Sequence, residues 1–367
     1  MAPDHPPRIL FIPVSSPTGA GEYYRCLTLG QACLDRHPDW SLHICVDRNA
    51  RVERPKTMQC HELDGSPTRD VAGTQRLIRA LRPDLILFDS TLRQSLLREA
   101  QACNARTIFI SSRPNRRRLG FGLRKLRWLD GHWLIAPPSD QKLGPWERTK
   151  LRLFPHRQVE FFSTLLPEPD PERRQRLLAD TELPSEDYIL VVPGGGGGKV
   201  AGHPVAEIFQ QAAIRIHRQA GTPVLFIAGP LSDITLEQTP GLVQWRSVAP
   251  EVLSDLISGA KLVVSGGGSI VQQTLALARP CLAVQAAGQD QRERLNALSE
   301  QGVIATCAPE PDLMASTAVG LLAGPKRDQL ISNGLGAGFG NDMGKAMKAL
   351  DRLVRGQKQA DATDGGP

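Results

Sequence analysis

Short apolar runs alternate with longer amphipathic stretches over much of the chain. Residues 8–14, RILFIPV, form an apolar run that predicts a buried strand, and residues 21–36 predict the helix that follows it. The alternation continues through strands predicted at 42–46, 84–88 and 106–110 and helices predicted at 70–81 and 91–103. Repeated strand–helix units of this kind predict a parallel, doubly wound sheet with right-handed crossovers.

A second series of the same kind follows a stretch rich in proline and charge. Its predicted strands are 188–192, 223–228, 261–264 and 281–284, and its predicted helices are 204–219, 250–257 and 269–278. We therefore predict an α/β fold of two doubly wound Rossmann-like domains that face each other across a cleft, where such sheets bind ligands. The predicted units are a first domain at 1–164, a linker at 165–187, a second domain at 188–340, a final helix at 341–355 that packs back across the interface, and a disordered tail at 356–367.

The most informative stretch joins the strand at 261–264 to the helix at 269–278. Gly266, Gly267 and Gly268 stand between them, and glycines let the backbone approach a bulky anion without a Cβ in the way. Ser269 is the predicted N-cap of the helix, whose first turn offers unpaired N–H groups and the positive end of its dipole. The pattern favours phosphate binding, although a glycine-rich turn in any doubly wound domain would look alike.

With the strand at 281–284 and the Asp290-Gln291 pair, these glycines resemble the C-terminal domain of GT-B glycosyltransferases, in particular the MurG and PseG-like group of family 28. The resemblance implies that the loop and helix hold the diphosphate of a nucleotide sugar. It also implies that Asp290 and Gln291 face the sugar, although both residues would serve equally as helix-capping residues. Gln273 stands where the family has a Glu that binds the ribose, and its amide can still accept and donate hydrogen bonds.

A second resemblance lies near the N-terminus, in the stretch PTGAGEYYRCL at 17–27. It is similar to the GxGHxxRC(L) signature of PseG-like proteins, which places Gly19 and Gly21 at the donor. Glu22 replaces the family's His and is the candidate general base. A helix N-terminus stabilises the ionised carboxylate and so weakens it as a base, and an ordinary N-terminal Glu is the competing interpretation. Arg25 is a candidate for binding a phosphate or an acceptor carboxylate, or else a surface arginine, solvated or paired with Glu22.

A run of five glycines precedes Lys199 but is not a Walker A loop, because Pro193 and Val200 occupy positions that need Gly and Ser or Thr. The resemblance implies that the five-glycine run contacts the donor. It implies the same for the turn that follows the strand at 223–228. The donor residues implied here are Gly194, Gly195, Gly196 and Gly229.

Positive charge is concentrated in residues 113–157. The chain carries a net charge of +6, but this stretch alone has 12 Lys or Arg against 3 Asp or Glu, together with Trp128, Trp133 and Trp146. Three interpretations stay open: a face for an anionic or lipid-linked acceptor at a membrane surface, with Arg113 as a contact; a nucleic-acid surface; or a solvated rim over buried tryptophans. Nucleic acid is the least favoured of the three, because nothing else in the chain resembles a recognition module.

Other features narrow the class of protein. The chain has no apolar run of about 18 residues and no secretion signal, so we expect a cytoplasmic protein, with peripheral contact at the inner face of the membrane as an option. Seven scattered cysteines without a CxxC predict neither a disulfide framework nor a metal site.

The resemblance therefore implies a metal-independent hexosyl- or N-acetylhexosaminyltransferase. The nucleotide sugar is a co-substrate, with UDP favoured by resemblance, and no cofactor is expected. The acceptor is a small molecule, a glycan or a lipid-linked molecule. Two alternatives are a PseG-like hydrolase, which would release free sugar without an acceptor, and a non-catalytic nucleotide-sugar-binding protein, suggested by Glu22 and Gln273 at positions where the family has other residues.

Overall fold

The structure is a computed structural model that describes residues 5–14, 21–50, 52–236, 239–286 and 289–355, apart from the side chains of Gln289 and Asp290. Gly19 and the predicted tail lie outside these residues. Two separate parallel sheets dominate the described chain, and both are flanked by helices on their two faces. The predicted α/β fold class is confirmed.

The first sheet has seven parallel strands within the described residues, in the order β3-β2-β1-β4-β5-β6-β7. The strands are β1 Arg8–Pro13, β2 Ser41–Asp47, β3 Gln59–Leu63, β4 Leu85–Asp89, β5 Arg106–Ser111, β6 Gly131–Ile135 and β7 Gln158–Phe162. The helices are α1 Gly21–Arg36, α2 Val71–Leu81, α3 Gln94–Ala102, α4 Pro114–Gly120, α5 Leu123–Leu126 and α6 Pro145–Arg152, with a 3₁₀ turn at Pro138–Asp140.

The second sheet has six parallel strands in the described ranges, in the order β12-β11-β8-β13-β14-β15. The strands are β8 Tyr188–Val192, β11 Val224–Ile227, β12 Leu242–Trp245, β13 Ala260–Gly266, β14 Cys281–Val284 and β15 Ala305–Cys307, with a small hairpin of β9 Lys199–Val200 and β10 His203–Pro204. The helices are α7 Pro171–Leu178, which precedes the sheet, α8 Val205–Ala220, α9 Pro250–Gly259, α10 Ser269–Ala276, α11 Gln289–Glu300, α12 Pro311–Ala323, α13 Lys326–Gly336 and α14 Met343–Val354.

Alternation along the central strands builds two cores per sheet. Ile9 and Phe11 of β1 point to one face, and Leu10 and Ile12 point to the other. The same division holds in β8, where Leu190 belongs to a different cluster from its neighbours. Burial on both faces explains why these strands are continuous apolar runs rather than alternating ones.

The two sheets are joined by two chain crossings that lie side by side. Thr164 forms a parallel bridge with Asn341, whose side chain also bonds both the N–H and the carbonyl of Leu166. After the second crossing, α14 returns to the first sheet, and its apolar side chains Met343, Met347 and Leu350 enter the core beneath α1. The helix is therefore packed in the core of the sheet formed by the first 162 residues.

The sequence predicts no strand between residues 113 and 162, and the structure has two there. Strands β6 and β7 extend the first sheet here, with Trp133 fully buried in β6. The short helices α4 and α5 before β6, and α6 between β6 and β7, carry most of the basic residues, and this charge makes the two short strands hard to recognise in the sequence.

Candidate functional site

Glu22 lies at the carboxyl edge of the first sheet, in the first turn of α1. Its side chain is 17% exposed, and its Oε1 is 4.0 Å from Nη2 of Arg113. Arg113 follows β5 and precedes the first residue of α4. The structure thus brings together two of the predicted site residues, which are far apart in sequence.

Arg25, one turn along α1, is bound to a residue that the sequence did not single out. Its Nε and Nη2 donate to the two carboxylate oxygens of Asp89 at 2.7 Å each, and Asp89 is completely buried. Ser90 has a φ of 58° and donates to the same carboxylate at 3.3 Å. The interpretation of Arg25 as a surface arginine, solvated or paired with Glu22, is therefore wrong. An Asp that ends a wholly apolar strand, LILFD, was the available signal.

The burial and the charges of the Arg25–Asp89 pair shift the pKa values of Arg25 and of its neighbour Cys26. Burial opposes the charge of Arg25, but the carboxylate of Asp89 outweighs this and raises the pKa of the guanidinium. Burial, assisted by Asp89, also raises the pKa of the neighbouring Cys26 thiol well above its usual value. Cys26 is therefore a neutral, packed side chain rather than a nucleophile.

At the carboxyl edge of the second sheet, three loops pack backbone to backbone. Gly229 has a φ of 98°, and a Cβ there would collide with the carbonyl oxygen of Gly194. A Cβ on Gly196 would collide with the carbonyl oxygen of Ala228, and the N–H of Leu231 donates to the carbonyl of Gly195 at 2.8 Å. The glycines after β8 and β11 are thus required by close approach of the two loops.

The third loop, after β13, fits against the same group. A Cβ on Gly266 would collide with the carbonyl oxygen of Pro193, and one on Gly267 would meet the side chain of Gln291. The Oε1 of Gln291 accepts a hydrogen bond from the N–H of Ala286 at 2.8 Å, and Arg294 Nη2 donates to the carbonyl of Gly267 at 2.7 Å. Gln291 and Arg294 therefore hold this loop. The sequence analysis did not identify Arg294 as a site residue. Asp290 was predicted to face the sugar, and its side chain lies outside the described residues.

Helix α10 begins at its predicted cap, one residue earlier than expected. Gly268 is the N-cap, with extended backbone, and Ser269 is the first helical residue; no side chain caps this end. The prediction of Ser269 as N-cap is wrong. Without a capping side chain, the N–H groups of the first turn are available to an anion. Gln273, in the second turn, is half-buried, and its side chain forms no hydrogen bond to the described residues.

The structure gathers the predicted residues into two groups rather than one. Gly21, Glu22, Arg25 and Arg113 lie at the edge of the first sheet, and the remaining described residues lie at the edge of the second. No described hydrogen bond or ion pair joins the groups, although α1 contacts α9 of the second sheet. Among the described residues there is also no group of three or more His, Cys, Asp or Glu able to hold a metal ion.

The three tryptophans of the basic stretch lie in different surroundings. Trp133 is buried, Trp128 is half-buried under Arg127, and Trp146 on α6 is 78% exposed. Leu153, two helical turns after Trp146, is 64% exposed. The interpretation of a rim over buried tryptophans therefore fails for Trp146. No helix in the described ranges is both long and apolar enough to cross a bilayer.

Comparison with known proteins identifies the fold. No protein-family model and no curated protein sequence matches the chain. It is similar to UGT2 of Phytolacca americana complexed with UDP-2-fluoro-glucose and pterostilbene, with a TM-score of 0.62, 12% identity, and coverage of 95% of this chain and 100% of that one. CalG4, the calicheamicin glycosyltransferase, is similar with a TM-score of 0.62 and 15% identity, and the match covers 97% of this chain and 100% of that one. MurG of Acinetobacter baumannii is similar with a TM-score of 0.56 and 12% identity, and the match covers 94% of this chain and 99% of that one. The chain is therefore no more similar to MurG than to the other two proteins. The chain has the predicted GT-B fold.

Proposed function

Because the chain has the GT-B fold, we propose that it transfers a sugar from a nucleoside-diphosphate donor to an acceptor hydroxyl, without a metal ion. One observation carries the proposal: the close-packed loops formed around Gly194–Gly196, Gly229 and Gly266–Gly268 lie at the carboxyl edge of the second sheet, beside the uncapped start of α10. Parallel sheets bind ligands at this edge, and backbone N–H groups suit a diphosphate. Similar proteins are described with UDP-2-fluoro-glucose and with dTDP, which supports a nucleotide donor.

In the proposed reaction, the acceptor oxygen bonds to the anomeric carbon as the bond from that carbon to the diphosphate oxygen breaks. Glu22 takes the proton from the acceptor hydroxyl, and the N–H groups at the start of α10 stabilise the charge that develops on the leaving diphosphate. Gln273 would bind the ribose hydroxyls, and Gln291, with Asp290, the sugar. Arg25 is held by Asp89, so we assign it to positioning α1 and Glu22, with Arg113 left for the acceptor.

The donor experiment is isothermal titration of the full chain with UDP, dTDP, GDP and UDP-N-acetylglucosamine, in EDTA and again with Mg²⁺. We expect one nucleotide to bind with the same affinity in both buffers. Binding that requires Mg²⁺ contradicts the metal-independent mechanism, and no binding at about 1 mM, where about −4 kcal/mol would register, contradicts the donor site.

The reaction is then tested with the nucleotide sugar that binds. Transfer predicts that release of nucleoside diphosphate rises on addition of an acceptor and that the sugar appears on the acceptor. Equal release without acceptor, with free sugar as the product, identifies a hydrolase instead. Binding without turnover in either condition identifies a non-catalytic protein.

We propose in addition that α6 contacts an anionic membrane surface, where a lipid-linked acceptor would lie. Trp146 and Leu153 lie on one side of this helix and are exposed, and the same helix carries the exposed side chains of Arg148 and Arg152. Lys and Arg around exposed apolar side chains suit the interface of anionic lipids.

A further inference from the structure

Three cations lie on three elements that pack together next to Arg113. Arg93 is the residue before α3, Arg116 is in the first turn of α4, and Lys125 is in α5, which contacts both α3 and α4. The N–H of Arg116 bonds to the carbonyl of Arg113, so the cluster begins one turn from the residue nearest Glu22.

These cations have no anionic partner in the described part of the chain. The side chain of Arg93 donates to the backbone carbonyl of Thr68 at 3.2 Å, and no described ion pair joins Arg93, Arg116 or Lys125 to a carboxylate. One nearby cation is paired, since Arg117 binds Glu147 through two nitrogens. Arg118 and Arg124, on the same two short helices, also have no ion pair in the described residues, but their side chains are exposed, whereas those of Arg116 and Lys125 are half-buried.

Burial and the arrangement of the three cations change the pKa of Lys125. It is half-buried, and burial together with the positive charges of Arg93 and Arg116 lowers the pKa of its amine. Like charges held together without counter-charge destabilise the folded chain, and an anion bound among them removes that repulsion.

We propose that Arg93, Arg116 and Lys125 form a binding site for a phosphate or pyrophosphate group carried by the acceptor. The proposal rests on the proposed function, because only a transferase gives an anion at this edge the role of acceptor. Arg side chains hold phosphate oxygens bidentately and Lys acts as a point charge. Arg113 would then lie between the bound phosphate and Glu22, and the hydroxyl to be glycosylated would be near that phosphate.

The test uses inorganic pyrophosphate as the probe, titrated into the full chain already saturated with the nucleoside diphosphate that binds it best, so that the glycine loops are occupied. We expect Arg116→Gln and Lys125→Gln to weaken pyrophosphate binding by about tenfold or more. The controls Arg118→Gln and Arg124→Gln, exposed on the same two helices, should change it by less than about twofold. Unchanged nucleotide affinity in each variant verifies that the chain is folded.

A second readout needs no substitution. The lowered pKa of Lys125 makes its amine more reactive, so limited acetylation followed by mass spectrometry should modify Lys125 early, and pyrophosphate should protect it. Lys142, which is exposed, should be acetylated equally with and without pyrophosphate.

Three results would overturn the site: no pyrophosphate binding up to about 10 mM, equal losses in the control and cluster variants, or no protection of Lys125. Binding to phosphatidylglycerol vesicles that depends on Arg116 and Lys125, without pyrophosphate binding, would instead assign the cluster to lipid head groups. Neither readout requires turnover. A chain that protects Lys125 but transfers no sugar contradicts only the proposed function, and one that transfers sugar without protecting Lys125 contradicts only this site.

Discussion

At the residue scale, Glu22 is linked to the Arg25–Asp89 pair through helix α1, which carries both Glu22 and Arg25. Asp89 is wholly buried at the end of β4, and its two oxygens hold Arg25, whose side chain is 16% exposed. Because Glu22 lies one turn earlier on the same helix, this contact anchors the segment of α1 that carries Glu22. The proposed base and the pair that positions its helix can therefore be separated experimentally.

Substitution Glu22→Gln keeps the shape of the side chain and removes its ability to accept a proton. We expect kcat for transfer to fall by about 10²-fold or more, with the Kd of the nucleotide unchanged, because general-base catalysis contributes about that much. Asp35→Asn, at the far end of α1, is the matched control and should retain full activity. A Glu22→Gln variant with normal kcat would remove Glu22 from the mechanism.

Substitution Asp89→Asn leaves the charge of Arg25 buried without a counter-ion. We expect the free energy of unfolding, measured by urea denaturation, to fall by about 3 kcal/mol. The double variant Arg25→Met, Asp89→Leu should lose clearly less than the sum of the two single changes, since an apolar pair leaves no buried charge. Strictly additive losses would mean that the two side chains do not interact as described.

His132 makes the folding stability of the chain depend on pH. Its Nε2 is 2.9 Å from Ser111 Oγ, and burial lowers the pKa of the imidazole from its ordinary 6.5 to about 3. A lowered pKa means that the unfolded chain binds a proton below pH 6.5 while the folded chain does not, so the contribution is present above 6.5 and is lost as the pH falls. Between pH 7 and pH 4.5 we expect unfolding to become easier by about 2 to 3 kcal/mol through this group.

The measurement is urea denaturation at both pH values for the wild type and His132→Gln. The wild type should lose more stability than the variant, because only the wild type contains His132. Other histidines, such as His43, are present in both proteins and cancel in the comparison. Equal losses would show that His132 does not govern this pH range.

At the scale of elements, two glycines of the segment that joins β13 to α10 differ in whether the fold itself requires glycine. A Cβ on Gly266 would collide with the backbone of Pro193, whereas one on Gly268 would meet nothing within 4 Å. Gly266 is therefore required by the fold itself, and Gly268, which is exposed at the start of α10, has room for a side chain in the absence of a ligand.

The pair Gly266→Ala and Gly268→Ala separates packing from ligand contact. We expect Gly266→Ala to lower the free energy of unfolding by about 1 to 3 kcal/mol, and Gly268→Ala to leave it within about 0.5 kcal/mol. Both should weaken nucleotide binding, Gly268→Ala because its methyl group occupies the space of the diphosphate. Normal nucleotide affinity in Gly268→Ala would mean that the donor does not approach this loop.

At the scale of the whole molecule, exposed apolar side chains on α6 lie in the most basic part of the chain. Replacing Trp146 and Leu153 together by Ser should weaken binding to anionic vesicles by about tenfold or more, since burial of apolar surface drives such contacts. Sedimentation with phosphatidylglycerol vesicles measures this, and Leu335→Ser, 58% exposed on α13, is the control. Equal binding by the control and the double variant, or no binding by the wild type, would contradict the membrane contact.

The sequence predicts the parts of this molecule whose signal is local. Strands β1 and β13 are continuous apolar runs, and the glycines that follow β13 mark a loop that approaches other backbone. Strand β7 was missed because it is half-buried and alternates Gln158 and Glu160 with apolar residues. Glu160 is satisfied by Arg352 of α14, a partner that no local pattern reveals.

The same limit applies to the candidate site. The contact between Arg25 and Asp89 spans 64 residues, and the cluster of Arg93, Arg116 and Lys125 forms only when α3, α4 and α5 pack together. Sequence spacing finds loops and helix starts, whereas the pairing of charges across strands is set by the sheet order.

The return of α14 to the first sheet determines the order in which a growing chain can complete its cores. Met343, Met347 and Leu350 fill the core beneath α1 and β1, yet the ribosome makes them after every strand of the second sheet. During synthesis the first half therefore waits with an apolar face uncovered, while the second half already has all of its strands. The half that leaves the ribosome first is the last to be finished, and a chaperone that meets this protein during translation would meet it on that face.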